Sequence, residues 1–548
     1  MKKHFNKIFS MILCVCLCAA LFSSCSGSDK KLDIIYPWSG NINSYDPQVA
    51  ATQDEFLVAE NCYEGLVRME DDGTIKPAAA TDWTVSADQK TYTFTLRQGM
   101  KWHISDEVKE LMGENWNPDI TANDFVFALQ RAVKPETQCP LYSSVSNIVS
   151  ASKINSGKKS ASSLGVKATD NYTLVIELNS PDDGFFSTLS SAVAMPCNQE
   201  FFEATNGRYG LGTKYSLFNG QFYVSNQLEN SYILDKNEEY NGPNTTKVDN
   251  ITLNNKGEAS SDIVDKLISG YYDAAYIEGS EYEKIADNED ITATAYSNIT
   301  WSLLINASGG NLSESSLRNA ICLGVSDLDV SDSKYLQDAT GISPPSCQIN
   351  GASLTSSETD ISFKHDAEKA KELWKKGLSA TGTSAVSITL ITTEEMDDYA
   401  KELVQGLQSS IGTITSYGNG NSVSFSLKIE TMTKDEMDQR IAADQYDIAL
   451  YPLQAASQSP VSFLSQIISD NAVNINSTSV NEALTAAENA PASNAAAACL
   501  ECEKALMNTY TVMPVLYESG YYAMAEGVSG VQFHPGSGRV SFVETTRK

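Results

Sequence analysis

The sequence is poor in residues that bind polyanions and in motifs that build metal or nucleophilic active sites. Lysine and arginine number 39 against 69 aspartates and glutamates, which gives a formal net charge of −30. So acidic a chain repels phosphate backbones and anionic headgroups, which excludes nucleic-acid binding. It has four histidines, and neither an HExxH nor a G-x-S-x-G motif occurs. We therefore expect no metal ion, no cofactor and no catalytic residues.

Long apolar runs are equally scarce, and the one that is present lies at the N-terminus. Three lysines precede an almost wholly apolar stretch, 8–22, and two serines precede Cys25. This pattern predicts a signal peptide over residues 1–24 rather than a membrane span. It resembles a lipobox, which would place lipid on Cys25 and the body at the outer face of the cell membrane. The alternative is an ordinary signal peptide followed by an incidental cysteine.

Cysteines are few beyond that segment: of eleven, four lie within the first 25 residues. The chain is therefore no small disulfide scaffold, although one or two disulfides could form and the sequence does not pair them. Cys499 and Cys502 spell a CxxC motif. Alanines before it and Glu503 to Leu506 after it predict one helix, whereas a redox CxxC follows a strand. We expect a helix and not a redox site.

Strand and helix patterns alternate along the chain. Residues 91–97 alternate polar and apolar side chains, as a half-buried strand does. Thr121 to Asp124 resembles a capping box, and the helix after it is stopped by Pro135. Asp366 caps another helix, which we expect to close at Gly377. The mixture predicts an α/β class, and about 520 residues after export predict two or three lobes.

Two serine-rich stretches lie between these patterns. They are residues 143–163 and 353–357. Clusters of serine between periodic segments are typical of connections at the surface. We expect both to be surface connections.

Short motifs spread over the mature chain carry the clearest signal. Each is weak alone, but they occur in one consistent order. They are Ser44-Tyr45-Asp46-Pro47-Gln48, Tyr63-Glu64-Gly65-Leu66-Val67, Tyr92-Thr93-Phe94-Thr95-Leu96-Arg97, Lys101-Trp102, Ile120 to Val126 with Arg131, Leu164 to Ala168, Asn219-Gly220, Lys236 to Tyr240, Gly270 to Asp273, Leu304 to Asn306, Leu317 to Ala320 and Tyr446 to Ala449. In this order they resemble the substrate-binding proteins of peptide ABC transporters, the oligopeptide- and dipeptide-binding family (extracellular solute-binding protein family 5).

The resemblance implies a type II periplasmic-binding-protein-like fold of two lobes that close about a hinge. The first lobe would comprise residues 25–62, 196–297 and 507–548, with an extra domain, 63–195, inserted in it. The second lobe would be 298–506. The resemblance further implies a monomer that does no chemistry. It would capture peptides and deliver them to a membrane permease powered by ATPase subunits.

Extended backbone in such a cleft can bind the N–H and C=O groups that all peptides share. The resemblance places these contacts in two segments, one after the first motif and one after the last. They are Ala51, Thr52 and Gln53 in the first segment and Tyr451, Leu453 and Gln454 in the second.

The chain departs from the peptide-binding pattern in the second segment. Members that bind a free peptide N-terminus carry an aspartate where this chain has Ala456. Leu453 replaces the usual aromatic residue, and Pro452 lacks a backbone donor. Our hypothesis is that the amine of a ligand is bound differently or not at all, since a buried ammonium needs a partner.

Three further residues have two interpretations each. By resemblance Trp301 lines the ligand pocket, but a core tryptophan is equally ordinary. Asn474 would face the ligand or cap a loop. Tyr451 has the same ambiguity.

Two other functions remain open. Proteins that resemble this chain also bind oligosaccharides, nickel complexes or other small solutes. A secreted glycosidase would use two carboxylates, and with 69 acids the sequence nominates no pair.

Overall fold

The computed structural model describes most of the chain from residue 31 onward. The described ranges are 31–38, 40, 42–70, 74–182, 184–243, 245–254, 257–349, 352–355, 359–383, 385–412, 424–455, 459–469, 477–488, 490, 494–534 and 539–548. Three residues singled out above, Cys25, Ala456 and Asn474, lie outside these ranges.

The strands are given first, in chain order. In the first half of the chain they are β1 (Asp33–Pro37), β2 (Val67–Met69), β3 (Ile75–Pro77), β4 (Ala80–Val85), β5 (Thr91–Leu96), β6 (Val166–Asp170), β7 (Thr173–Glu177), β8 (Phe222–Gln227), β9 (Ser231–Lys236), β10 (Asn250–Asn254) and β11 (Ala274–Ile277). In the second half they are β12 (Thr292–Ile305), β13 (Leu336–Asp338), β14 (Gln348–Ile349), β15 (Ala352–Ser353), β16 (Ala385–Thr393), β17 (Ser424–Met432), β18 (Ile448–Gln454), β19 (Val512–Met524), β20 (Val528–Ser529), β21 (Gln532–His534), β22 (Arg539–Ser541) and β23 (Thr546–Arg547).

The helices follow in the same order. They are α1 (Gln53–Cys62), α2 (Asp106–Met112), α3 (Ala122–Ala132), α4 (Tyr142–Val145), α5 (Ala151–Asn155), α6 (Phe185–Leu189), α7 (Gln199–Ala204), α8 (Ser260–Ile268), α9 (Gly279–Tyr282), α10 (Ser315–Gly324), α11 (Ala367–Thr381), α12 (Asp397–Ile411), α13 (Lys434–Ala442), α14 (Pro460–Ser469), α15 (Thr478–Glu488) and α16 (Ala495–Met507). Among the described residues, none of these helices combines the length and apolar character needed to cross a bilayer.

Three sheets carry the α/β architecture. A four-stranded sheet has the order β1-β10-β9-β8, and a second, β4-β5-β7-β6, lies within residues 63–195. The largest has the order β11-β19-β12-β18-β16-β17, with β13 also paired to β19. The predicted alternation holds in β5, where Tyr92, Phe94 and Leu96 are buried and Thr95 is exposed. The predicted strand is thus confirmed.

Two long strands join the lobes of this two-lobed fold. β12 and β19 pair antiparallel over nearly their whole length. Near one end, Tyr296 and Tyr522 lie in a buried cluster shared with β1, β10 and the β4–β7 sheet. Further along, Trp301 and Leu516 lie in a different cluster, packed with α10, α11 and α12. Both strands therefore pass from the first-lobe core into the second-lobe core. The exact chain limits of the lobes stay a prediction.

The end of helix α11 differs from the sequence expectation. The helix begins after Asp366, whose side chain caps it as predicted, but it runs through Gly377 to Thr381. Gly382, at φ +68°, is the residue that ends it. Gly377 has another purpose, because a Cβ there would lie 2.5 Å from the Leu317 side chain. It allows α10 and α11 to pack closely.

The serine-rich stretch 143–163 is not a simple surface connection, so that expectation was wrong. It forms α4, α5 and a 3-10 turn. Val145, Ile148, Ala151 and Ile154 are buried and belong to the first-lobe core cluster. Part of the second stretch, 356–357, lies outside the described residues.

The cysteines of the described ranges are buried free thiols. Cys499 and Cys502 lie on α16, which confirms the predicted helix. Burial raises the pKa of Cys499 to about 12 and that of Cys502 to about 11. A thiol that ionises so reluctantly is a poor nucleophile.

A buried ion pair connects the opening motif of the first lobe to helix α3. The Arg131 Nη2 atom lies 2.5 Å from Asp46 Oδ2, and both side chains are almost fully buried. Arg131 also donates to Gln48 Oε1 at 2.8 Å, and its guanidinium lies over the Phe202 ring. The Gln48 amide in turn donates to the Met195 carbonyl at 2.9 Å. These motif residues therefore connect structural elements.

A second network of motif residues surrounds Glu64. Arg97, which directly follows β5, and the Tyr240 hydroxyl both bond to its carboxylate. The Asn219 side chain accepts from the Glu64 N–H at 3.0 Å and donates to the Glu64 carbonyl at 2.9 Å. The β4–β7 sheet is attached to the first lobe through these contacts.

Candidate ligand cleft

Strands from both lobes end where β12 and β19 pass between the two cores, a region that we call the hinge. Ile277, the last residue of β11, pairs with Tyr521, and Gln454, the last residue of β18, pairs with Ile299. Tyr521 and Ile299 lie in the stretch where β19 and β12 pass between the cores. β16 runs parallel to β18 and therefore ends at the same edge. Because α/β sheets bind ligands beyond the carboxyl ends of their strands, this is the candidate ligand cleft.

β18 enters the cleft with one unpaired edge. β16 pairs with it only near the start, at Ile448 and Ala449. Within the described part of the chain, residues 451–454 have β12 on one side and no strand on the other. A gap therefore opens between β16 and β18 where they face the first lobe.

The direction of the backbone groups on this edge follows from one hydrogen bond. The Ala455 N–H donates to the Asn298 carbonyl of β12 at 2.8 Å. Because strand residues alternate in direction, the N–H and C=O of Gln454 and the C=O of Pro452 point away from β12. We call these three groups the β18 edge. Pro452 contributes no donor to it.

A row of paired residues crosses the floor of the cleft. Leu336 pairs with Glu518, Glu518 with Ile299, and Ile299 with Gln454. Directly paired residues face the same side of a sheet, so Glu518 and Gln454 share a face about 10 Å apart, two strand spacings. The Trp301 indole N–H donates to Glu518 Oε2 at 2.6 Å.

The floor is electronegative at Glu518. Burial raises the pKa of this carboxyl, and the negative charges of Glu395 and Glu278 raise it further, against the hydrogen bond from Trp301. Glu395 follows β16 in the second lobe, whereas Glu278 follows β11 in the first. Among the described residues, no lysine or arginine forms an ion pair with these three acids. Anionic ligands are therefore disfavoured here.

The first predicted segment is a helix start and not an extended strand. Thr52 caps α1 in a capping box with Glu55, and Gln53 is the first helical residue. The Ala51 N–H donates to Glu55 Oε2 at 2.8 Å, and the Thr52 N–H does so at 3.2 Å. Ala51 and Gln53 are exposed. The N–H groups of Ala51 and Thr52 are thus already bonded within the protein.

The second predicted segment divides between core and cleft. The Tyr451 hydroxyl donates to Asp438 Oδ1 of α13 at 2.9 Å, so its polar end is occupied. Leu453 is buried in the core beneath the sheet. Gln454 is exposed at the end of the strand. Ala456 lies outside the described residues, as does Asn474, and both stay predictions.

Trp301 lies in the second-lobe core, with 1% of its surface exposed. Its indole edge reaches the cleft only through the hydrogen bond to Glu518. Through this bond it orients a floor residue. Its role as a ligand residue stays a prediction.

The sequence motifs did not indicate Glu518, Glu395 or Glu278. These acids lie on three separate segments with no fixed spacing, and only the sheet register brings them together. One local signal was available: Glu518 is the single charged residue in the stretch 512–524. In the described ranges we find no group of three His, Cys, Asp or Glu side chains that could bind a metal ion.

Comparison with known proteins identifies the family. Residues 74–474 match the family model of the bacterial extracellular solute-binding proteins, family 5 Middle, which is well over half of the chain. The chain belongs to this family. A curated relative of this family 5 protein, the dipeptide-binding protein DppE of Bacillus subtilis (strain 168), is 24% identical over 506 residues, covering 90% of this chain and 88% of DppE. The oligopeptide-binding protein AmiA of Streptococcus pneumoniae is 30% identical over 300 residues, which is 52% of this chain and 44% of AmiA.

Solved structures share the fold of this family 5 protein. The substrate-binding domain of an oligopeptide ABC transporter from Bacillus anthracis superimposes with a TM-score of 0.72 at 21% identity, covering 95% of this chain and all of that chain (100%). Listeria monocytogenes OppA bound to peptide gives 0.71 at 20% identity with the same coverage. The two-lobed fold predicted from the motifs is confirmed.

Proposed function

We propose that this family 5 protein is the lipid-anchored solute-binding component of an ABC importer, and that it captures peptides in the cleft and delivers them to the permease. The observation that carries the proposal is the β18 edge at the hinge-facing end of the second lobe. Its N–H and C=O groups match what peptides of any sequence offer. The names of the relatives, dipeptide- and oligopeptide-binding proteins, support it.

An extended peptide would bind as an added strand. The Gln454 N–H would donate to a peptide carbonyl, and the carbonyls of Gln454 and Pro452 would accept from peptide N–H groups. Closure of the lobes would then remove water and strengthen these bonds. No reaction is required of the protein in this scheme.

A thermal-shift screen over di- to hexapeptides, glycans and nickel complexes tests the proposal. A bound ligand should stabilise the protein by about 2.7 kcal/mol at a hundredfold excess over its dissociation constant. We expect shifts from peptides. Shifts only from glycans or nickel complexes would favour the alternative solutes, and release of a sugar reporter would favour the glycosidase.

Calorimetry with matched free and N-acetylated peptides extends the screen. Because Ala456 stands where an acid is expected, we expect the two forms to bind with similar affinity. A strong preference for the free amine would contradict this part of the proposal.

Substitution of Gln454 tests the β18 edge itself. Gln454→Pro removes the outward N–H without touching a bond to β12, a position that an edge strand tolerates. We expect the dissociation constant for a peptide found in the screen to rise about tenfold, because its carbonyl loses a partner in a dry site. Gln454→Ala keeps the N–H and is the matched control. Equal affinity of both variants would contradict the role of the edge.

The lipid anchor is a separate part of the proposal. Lipid on Cys25 would keep the capture protein beside its permease instead of letting it diffuse away. Mass spectrometry of the protein from membranes should find a lipidated Cys25 at the N-terminus. Recovery of Cys25→Ala in the membrane fraction at the wild-type level would contradict anchoring.

A further inference from the structure

A β-bulge lies where β12 passes from one core to the other. The pairing of β12 with β19 shifts register there, so that Ser297 and Asn298 stand opposite Ser519 alone. A bulge places an extra residue in one strand and bends it locally. The β12–β19 pairing has a second register shift between Trp301 and Ser302, but the bulge at Ser297 and Asn298 is the one with the extra residue on β12. It marks a place where the ladder between the lobes is interrupted and β12 can change direction.

Asn298 holds the cleft-facing end of β18 to this bulge. Its carbonyl accepts the Ala455 N–H at 2.8 Å, and its side-chain Nδ2 donates to the Ala455 carbonyl at 3.4 Å. Asn298 is 2% exposed, so water does not compete for these bonds. Ala455 directly follows Gln454. The bulge thus binds the residue next to Gln454, whose N–H we propose binds peptide.

The neighbouring bulge residue is bound elsewhere. The Ser297 and Ser519 hydroxyl oxygens lie 2.5 Å apart, which ties β12 to β19. The Ser297 carbonyl accepts the Ser346 N–H at 2.9 Å, which ties the bulge to a loop of the second lobe. Ser297 therefore fixes the bulge between the long strands, and Asn298 joins it to β18.

We infer that Asn298 is a positioning residue that couples the β18 edge to the bulge, so that pairing of a ligand and rotation of the lobes occur together. The inference rests on the proposed function, because it needs a peptide on the β18 edge. Because Ala455 is bonded to Asn298 through both its N–H and its carbonyl, the end of β18 cannot shift without moving Asn298. If the end were loose, a ligand could pair with it while the lobes kept their positions.

Asn306, the residue directly after β12, supplies a control at the other end of β18. The Asn306 Nδ2 donates to the Tyr446 carbonyl at 2.8 Å, and the Asn306 N–H donates to the Asp447 carbonyl at 2.9 Å. The same type of residue thus fixes the start of β18, far from the hinge. Asn306→Ala removes the side-chain bonds to the Tyr446 and Asp444 carbonyls and those accepted from Ser308, without touching the bulge.

The test compares Asn298→Ala, the isosteric Asn298→Asp and Asn306→Ala in the full-length protein. The probe is a degenerate hexapeptide library, and the readouts are the radius of gyration from small-angle scattering and amide hydrogen exchange. In the wild type we expect the library to compact the protein and to slow exchange at both 454–455 and 296–299. In Asn298→Ala, half-maximal compaction should need about five to ten times more library, as expected for one lost hydrogen bond. Asn298→Asp places a buried carboxylate oxygen against the Ala455 carbonyl, so it should need at least as much. Amide hydrogen exchange at 296–299 should no longer slow together with exchange at 454–455 when the library is added.

Two outcomes separate the inference from the function it rests on. If the library binds all variants and the Asn298 variants compact like Asn306→Ala, the coupling is refuted and peptide capture stands. If the library neither binds nor compacts the wild type, peptide capture fails and the inference fails with it. Equal loss of thermal stability in Asn298→Ala and Asn306→Ala, with different compaction, supports the coupling over a purely structural role.

Discussion

Asp46→Asn is expected to lower the free energy of unfolding by about 3 to 5 kcal/mol, because it leaves a buried guanidinium without its counter-charge. The side chains of Asp46 and Arg131 are 5% and 6% exposed, so water cannot replace the lost carboxylate. Arg131 would keep Gln48 Oε1 and the Phe202 ring, neither of which carries charge. Urea unfolding followed by tryptophan fluorescence measures the change.

An exposed ion pair provides the control for this prediction. Lys167 Nζ and Glu177 Oε1 lie 3.6 Å apart with both side chains well exposed. Glu177→Gln should therefore change the free energy of unfolding by less than about 0.5 kcal/mol. Similar effects of the two substitutions would mean that burial does not strengthen the Asp46–Arg131 pair.

Glu60→Gln is expected to remove a large pH-dependent contribution to the free energy of unfolding. Burial alone would raise the pKa of Glu60, but the Arg539 guanidinium, the His534 ring and the charge of Arg68 lower it to about 2. Arg539 Nη1 lies 3.3 Å from Glu60 Oε2. Since the pKa is lower in the folded than in the unfolded state, the ionised carboxylate stabilises the fold above about pH 4.5. That contribution, about 3 kcal/mol, is lost as the pH falls towards 2.

The measurement is the free energy of unfolding of wild type and Glu60→Gln between pH 2 and 7. We expect a difference of about 3 kcal/mol at neutral pH that shrinks below pH 4.5 and vanishes near pH 2. The Asp106–Lys109 pair lies at the surface, so Asp106→Asn should shift the curve little at any pH. Parallel curves for wild type and Glu60→Gln would contradict the assignment.

The fold could be predicted from the sequence because its motifs encode buried contacts. Asp46 and Arg131 are 85 residues apart, yet each has the other as its partner, and Glu64 meets Arg97 and Tyr240 in the same way. A chain that keeps all these residues in order keeps the architecture that they hold together. For the same reason the motifs say little about the ligand, because none of these side chains faces the cleft floor at Glu518.

The site was harder to predict because it depends on register and on competition for backbone groups. The sequence placed the segment 451–454 just after a strand, whereas it forms the last residues of β18. Nor could the sequence show that Glu55 already accepts from the N–H groups of Ala51 and Thr52. Local patterns also gave a wrong prediction where tertiary packing determines the residue type. Gly377 has the pattern of a helix end, whereas its close contact with Leu317 is the reason that a glycine is needed there. Such choices depend on residues that are distant in sequence.

The gap between β16 and β18 has a consequence for self-association. An open sheet edge is a template on which a strand of another molecule can add, and repeated addition leads to aggregation. Here the edge ends at Gln454, and Pro452 removes a donor from it. Only a short segment can therefore pair before the hydrogen-bond ladder is interrupted. The edge is long enough for a peptide of a few residues but too short to support an extended intermolecular sheet.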